Sequence, residues 1–113
     1  MTNALLGPFE EIVLLSLLRL ENRTYGMEIR RDLESRVGRT VTIGAVYSAL
    51  ERMEAKGYVS SEKTTGNRTR GGRGRRYFTV LPAGARALAR SRSLREAAWE
   101  GVTLDDVLES SSS

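Results

Sequence analysis

Residues 42–56, TIGAVYSALERMEAK, constrain the fold more than any other stretch of this chain. Ile43, Val46, Leu50 and Met53 recur at helical spacing, so they line one buried face. Thr42 suits the N-cap, where its hydroxyl can take a first-turn N–H, and Val41 and Val46 are spaced for a hydrophobic staple across it. Gly57 follows directly, where a left-handed C-terminal cap favours a residue without a Cβ. The opposite face carries Gly44, Ala45, Ser48, Glu51, Arg52 and Ala55. Its first half is nearly bald, which lets the helix backbone come close to another surface. An ordinary surface helix would show the same amphipathicity, so the flanking segments decide between the two readings.

Upstream, residues 9–20 read as a helix with Phe9, Ile12, Val13, Leu17 and Leu20 facing inward, after a Pro8 that fits a first turn. Leu14 and Leu18 widen its apolar arc beyond one core face, so the helix is either deeply buried or covered by a partner, with partial cover by a second subunit the favoured expectation. Residues 21–24, ENRT, make a polar turn, with Thr24 as the cap of a second helix reaching about Arg36. Tyr25, Ile29 and Leu33 form its buried edge, and Arg30, Arg31 and Arg36 lie outside that edge. Residues 37–41, VGRTV, turn the chain into the 42–56 helix. Helix, helix, short turn, helix is the order of a helix-turn-helix.

Downstream, residues 58–63 and 75–81 have strand character, the second alternating Phe78 and Val80 with Tyr77 and Thr79. The Gly- and Arg-rich stretch between them is too long for a two-residue turn, so a hairpin with an extended tip is expected. Arg68, Arg70 and Arg73 on the tip, with Arg75 and Arg76 at its exit, concentrate charge of one sign that an anionic polymer would relieve. Pro82 opens a last helix to about Val102, in which Leu88, Trp99 and Val102 share a face interrupted by Arg92 and Arg95. A long, weakly amphipathic terminal helix of this kind suits a dimerisation arm, with Trp99 as its anchor or as the lining of a ligand site. Residues 103–108 can add one more turn, and 109–113, ESSSS, read as a disordered tail. The expected organisation is a winged helix-turn-helix over 1–81, a C-terminal dimerisation helix over 82–108 and the tail: mainly α with a β-hairpin wing.

Composition narrows the function classes. A chain of 113 residues suits one domain, and a net charge of +4 favours an anionic partner. Sixteen of the eighteen basic residues are Arg, the side chain that grips phosphate or guanine at two points. There is no Cys and no His, which removes thiolate ligands, disulfides and the commonest general base. Asp105 and Asp106 are adjacent near a helix end, and Glu10 and Glu11 read as first-turn charges, so neither pair is a positioned acid/base couple. The glycines of 66–74 lack the Lys-Ser/Thr ending of a phosphate-binding loop. No enzyme activity, cofactor or metal is expected. The apolar run 12–20 is too short to span a bilayer, and no signal peptide is evident, so a cytoplasmic protein without a membrane partner is expected.

Four pieces, in order and spacing, resemble the PadR family of winged-helix transcriptional regulators. LGPFEEIVLLSLLRL (6–20) resembles its opening helix and YGMEIRRDLE (25–34) its second. TIGAVYSALERMEAKGYV (42–59), with Gly44 and Tyr47 as the G-x-x-Y pair, resembles its recognition helix. RRYFTVLPAGARAL (75–88) resembles the second wing strand and the start of the last helix. Leu81 stands where the family usually has a Thr cap before Pro-Ala-Gly. The short C-terminal region matches the small branch, with a single C-terminal helix. The resemblance implies a homodimer on an inverted-repeat operator of double-stranded DNA, usually a repressor. It also implies, in some small members, an interface pocket for flat aromatic ligands, to which Trp99 corresponds by position only.

On that reading Ala45 meets a thymine methyl, Ser48 a base edge and Arg52 a guanine or a phosphate. Thr42 and Tyr47 clamp phosphates, and Arg73 and Arg75 of the wing reach the backbone or a minor groove. Glu51 faces the same way, either to accept from a cytosine or, as the favoured reading, as a solvated charge. Leu14, Leu18, Leu88, Trp99 and Val102 form the dimer or effector interface. Two alternatives stay open on the residues alone: a winged helix that docks on an acidic protein, and an RNA binder acting through its Arg/Gly loop.

Overall fold

The computed structural model describes residues 6–38, 40–64 and 74–111. Helix α1 (Pro8–Arg19) begins with Pro in its first turn, and the Glu10 carboxylate accepts the Gly7 N–H at 3.2 Å, closing the helix start. Val13, Leu14 and Leu17 are fully buried. Of the two readings of Leu14, burial and subunit cover, the structure shows burial in this subunit's own core, against the favoured interface expectation. The buried arc of α1 is wide because α2, α3 and the sheet all pack on it. Leu15 and Leu18 are the exposed leucines of this helix.

The turn after α1 places Glu21 and Asn22 at positive φ (66° and 59°). Asn22 accepts the Val80 N–H at 2.8 Å and donates to the Val80 carbonyl at 3.3 Å, pinning the turn to the end of the sheet. Thr24 does not cap a helix. Thr24–Tyr25 is a short strand, β1, and α2 (Gly26–Val37) starts after it without a side-chain cap. The open edge of a distant strand claims these two residues, a demand local sequence does not contain. Ile29 and Leu33 of α2 enter the core, and Gly38 ends the helix at φ 73°. Arg30 ties the next turn together: it pairs with Glu34 at 2.9 Å and donates to the Val41 carbonyl at 3.3 Å, while Glu34 accepts the Val41 N–H at 3.1 Å.

Helix α3 (Ile43–Ala55) starts as expected, with Thr42 Oγ1 accepting the Ala45 N–H at 3.1 Å. Val46, Ala49, Leu50 and Met53 are buried, while Ile43 is only half-buried. Gly57 takes the left-handed conformation, φ 80°, that turns the chain into the sheet. Strands β2 (Val59–Lys63) and β3 (Arg76–Val80) form the hairpin with Ser61 opposite Phe78 and Lys63 opposite Arg76; β1 adds to the other edge of β3, giving the antiparallel order β1-β3-β2. Phe78, on the central strand, is fully buried.

Helix α4 (Pro82–Trp99) docks through Gly84, where a Cβ would run into the Tyr58 carbonyl oxygen, and then through Ala87, Leu88 and Ser91. Every residue from Arg92 to Ser110 is exposed. The radius of gyration is 17.6 Å, against about 13 Å for a compact chain of this length. The excess comes from the projecting end of α4 and the residues beyond it. The terminal helix does not reach Val102: Gly101 at φ 77° breaks it, and a second helix, α5 (Asp105–Ser111), comes after the break. The C-terminal region thus has two helices, and residues 109–111 are helical where a disordered tail was expected. Among the described residues no helix is long and apolar enough to cross a membrane.

Candidate nucleic-acid interface

The exposed face of α3 lies between two charged rims. On the wing side, the Arg76 guanidinium reaches Glu54 at 2.5 Å and Glu51 at 3.6 Å, and the Ser61 hydroxyl donates to Glu54 at 2.7 Å. Glu51, read from the sequence as solvated, is one wall of this rim. On the other side, Glu10 of α1 receives Arg52 at 3.2 Å and Lys56 at 3.6 Å. Burial pushes the Glu10 carboxyl up, but the Gly7 N–H, Arg52 and Lys56 outweigh it and hold it below the usual carboxylate range. Between the rims Gly44, Ala45, Ser48 and Ala55 are exposed. A Cβ added at Gly44 would meet nothing within 4 Å, so this stretch of α3 is open to a large partner.

Arg52 sits at the edge of that open face rather than free upon it. Its Nε is committed to Glu10, and its terminal NH2 groups make no hydrogen bond among the described residues. Tyr47 is half-buried: its ring tilts against Phe78 with centroids 6.3 Å apart and lies directly on Gly26, where a Cβ would stand 2.6 Å from Cζ. The Tyr47 hydroxyl has no hydrogen-bond partner among the described residues. Arg75 is exposed, with its guanidinium 4.2 Å from the centre of the Tyr25 ring; Tyr25 meets Tyr77 edge-on at 5.7 Å, and Arg23 covers Tyr77 at 4.4 Å. Arg73 lies outside the described residues.

The structure thus brings Thr42, Ala45, Ser48 and Arg52 onto one side of α3, with Tyr47 and Arg75 beside the wing. Sequence reasoning missed Glu10, Tyr25 and Lys63. Glu10 carried one signal, an acid in the first turn of a helix, but its Arg52 partner is 42 residues away. Of the expected interface residues, Leu18, Trp99 and Val102 are exposed and Leu88 is buried. Leu15, Leu18, Ala85, Leu88 and Ala89 line a groove of about 440 Å³ between α1 and α4 together with Glu11 and Arg92, and Glu11 also pairs with Arg95 at 2.8 Å. Among the described residues no acidic cluster could hold a metal ion.

A three-helix core with its third helix exposed beside a short antiparallel sheet is a winged helix-turn-helix. The profile described as "Transcriptional regulator PadR-like family" matches residues 14–90. The transcriptional regulator Rv3488 of Mycobacterium tuberculosis is 38% identical over 81 residues, 71% of each chain. This chain belongs to the PadR-like family of transcriptional regulators. Among solved structures, a PadR family transcriptional regulator from Eggerthella lenta superposes with a TM-score of 0.66 at 24% identity, covering 87% of this chain and 81% of that one. Bacillus subtilis PadR in complex with operator DNA superposes with a TM-score of 0.59 at 17% identity, covering 71% of this chain and 44% of that one, a likeness of fold.

Proposed function

We propose that this protein is a homodimeric repressor that lays α3 in the major groove of an inverted-repeat operator. The observation that carries the proposal is the open, small-residue face of α3 between its two rims. Such a face admits the edges of base pairs without a clash, and the wing cations stand where flanking backbone would run. Operator binding by Bacillus subtilis PadR, on the same fold, supports the reading. Ala45 then touches a thymine methyl, Ser48 a base edge, and the terminal NH2 groups of Arg52 a guanine or a phosphate. Thr42, Tyr47, Arg73 and Arg75 hold the backbone.

The dimer forms through the exposed leucines of α1, the projecting end of α4 and α5. Trp99, 55% exposed on a projecting arm, supports this, since an isolated subunit gains nothing by exposing its one Trp. A flat aromatic effector stacking on Trp99 would bias the separation of the two α3 helices and release the operator. Selection of duplexes from a random pool at two salt concentrations tests the whole reading. The expected result is an inverted repeat with half-sites about 10 bp apart; enrichment without a motif, lost quickly with salt, would refute it. Arg52→Ala should cost about 1–3 kcal/mol and relax the preference at one position. Unchanged affinity and preference would remove Arg52 from the readout.

A further inference from the structure

We infer that the cleft between α2 and the base of the wing is a seat for one backbone phosphate of bound DNA, with Lys63, Arg75 and the Tyr47 hydroxyl as its donors. The inference rests on the operator-binding reading above and specifies where one contact is made. The cleft encloses about 430 Å³ and is lined by Tyr25 from β1, Arg31 from α2, Tyr47 from α3, and Lys63, Arg75 and Arg76 from the wing. The sequence separates these elements widely, and the register of β2 with β3 helps to bring them together, Lys63 standing opposite Arg76.

The cations of the cleft are not equivalent. Arg76 is spent on Glu54 and Glu51, and Arg31 is paired with Glu28 at 2.6 Å. Lys63 and Arg75 form no ion pair among the described residues, and both are exposed. Arg75 is nevertheless not loose, because its guanidinium is held against the Tyr25 ring at 4.2 Å. That contact fixes the arginine while leaving its N–H edge for another acceptor. The Tyr47 ring is clamped between Gly26 and Phe78, so its hydroxyl is presented at a set position. Two unneutralised cations and one oriented hydroxyl, with no acidic side chain among the described residues lining the cleft, match an oxyanion bearing several acceptor oxygens. Tyr47 also belongs to α3, one position from the exposed Ser48. An anion in the cleft therefore lies beside the groove-facing helix, where the backbone flanking the contacted base pairs passes. A free phosphate shares the chemistry, but the neighbourhood of the α3 face assigns the seat to DNA.

The test uses the full chain and the duplex it selects most strongly. Single neutral methylphosphonates are walked along each strand, and binding is measured for the wild type and for Lys63→Ala, Arg75→Ala and Tyr47→Phe. At one backbone position per half-site the substitution should weaken the wild type about 5- to 10-fold and the three variants much less, so that protein and phosphate changes fail to add. The two charge-removing variants should also lower the salt slope by about one each. Arg86→Ala, which removes an exposed charge from α4 outside the cleft, should leave the penalty at that position intact. Additive losses at every position would overturn the seat while leaving operator binding standing. Saturable binding of inorganic phosphate to the free protein, without coupling to any backbone position, would make the cleft a free-anion site and overturn the assignment to DNA. Failure of the wild type to select any duplex would sink the operator-binding reading itself and the seat with it.

Discussion

Asp32 shows how much one side chain can hold. It lies between Arg19 of α1 at 2.8 Å and Arg36 of its own helix at 3.2 Å, with its side chain only 12% exposed. The Arg19 guanidinium, against the opposing effect of burial and with help from Arg36, holds the carboxyl at about 2 rather than the ordinary 3.8. Because the folded value is the lower one, the stabilisation is complete above the unfolded value and disappears as pH falls through the folded one. A shift of this size corresponds to about 2 kcal/mol at neutral pH. Urea denaturation of Asp32→Asn should therefore fall short of the wild type by about that amount at pH 7, with the gap closing towards pH 2. A gap that does not narrow in acid would mean Asp32 acts through packing alone. Gly26 is the second such residue. Gly26→Ala puts a methyl into the Tyr47 ring and should cost about 1–3 kcal/mol in the same assay, together with DNA affinity, whereas Tyr47→Phe should cost affinity and little stability.

At the scale of elements, α3 is held at three points: the Thr42 cap, the Arg76 rim and the Glu10 rim. Thr42→Ala should remove about 1 kcal/mol, read as a lower denaturation midpoint with an unchanged slope. Glu10 and Glu11 are neighbours on α1 with different duties. Glu10 reaches α3 through Arg52 and Lys56, and Glu11 reaches α4 through Arg95. One turn of α1 thus carries ion pairs to both α3 and α4. Glu10→Gln, which keeps the Gly7 N–H acceptor but removes the charge, should let Arg52 swing away and alter base preference more than total affinity. Selection with this variant checks the point, and an unchanged motif would show that Arg52 is positioned by something else.

At the scale of the whole molecule, the outlying apolar side chains are the surface on which the proposed dimer rests. Val107 is 70% exposed and, with Trp99, Val102, Leu104 and Leu108, gathers on the projecting arm and on α5. The pair Leu18→Asp and Val107→Asp replaces only exposed side chains, so it should leave circular dichroism unchanged. If the proposed dimer forms, the wild type should sediment at dimer mass and the double variant at monomer mass, and the variant should lose preference for two half-sites over one. A wild type already at monomer mass would refute the dimer.

Local pattern determined most of the elements of this protein. The Thr42 cap, the spacing from Val46 to Met53, the two wing strands and Pro82 each follow from short-range rules of periodicity and capping, and the order of helices and hairpin, with the family resemblance, indicated the fold. The bald face of α3 was legible for the same reason, because helical angle alone separates Gly44, Ala45 and Ser48 from the buried stripe. Long-range partners were not legible. Thr24–Tyr25 became a strand because β3 offered it an edge. Leu14 was buried because three elements converged on α1. Arg76 was neutralised by Glu54 and Glu51, leaving Lys63 and Arg75 as the cations of the cleft. Periodicity tells which side of an element is apolar; which charge meets which, and which remains for a ligand, depends on distances that exist only once the chain has closed upon itself.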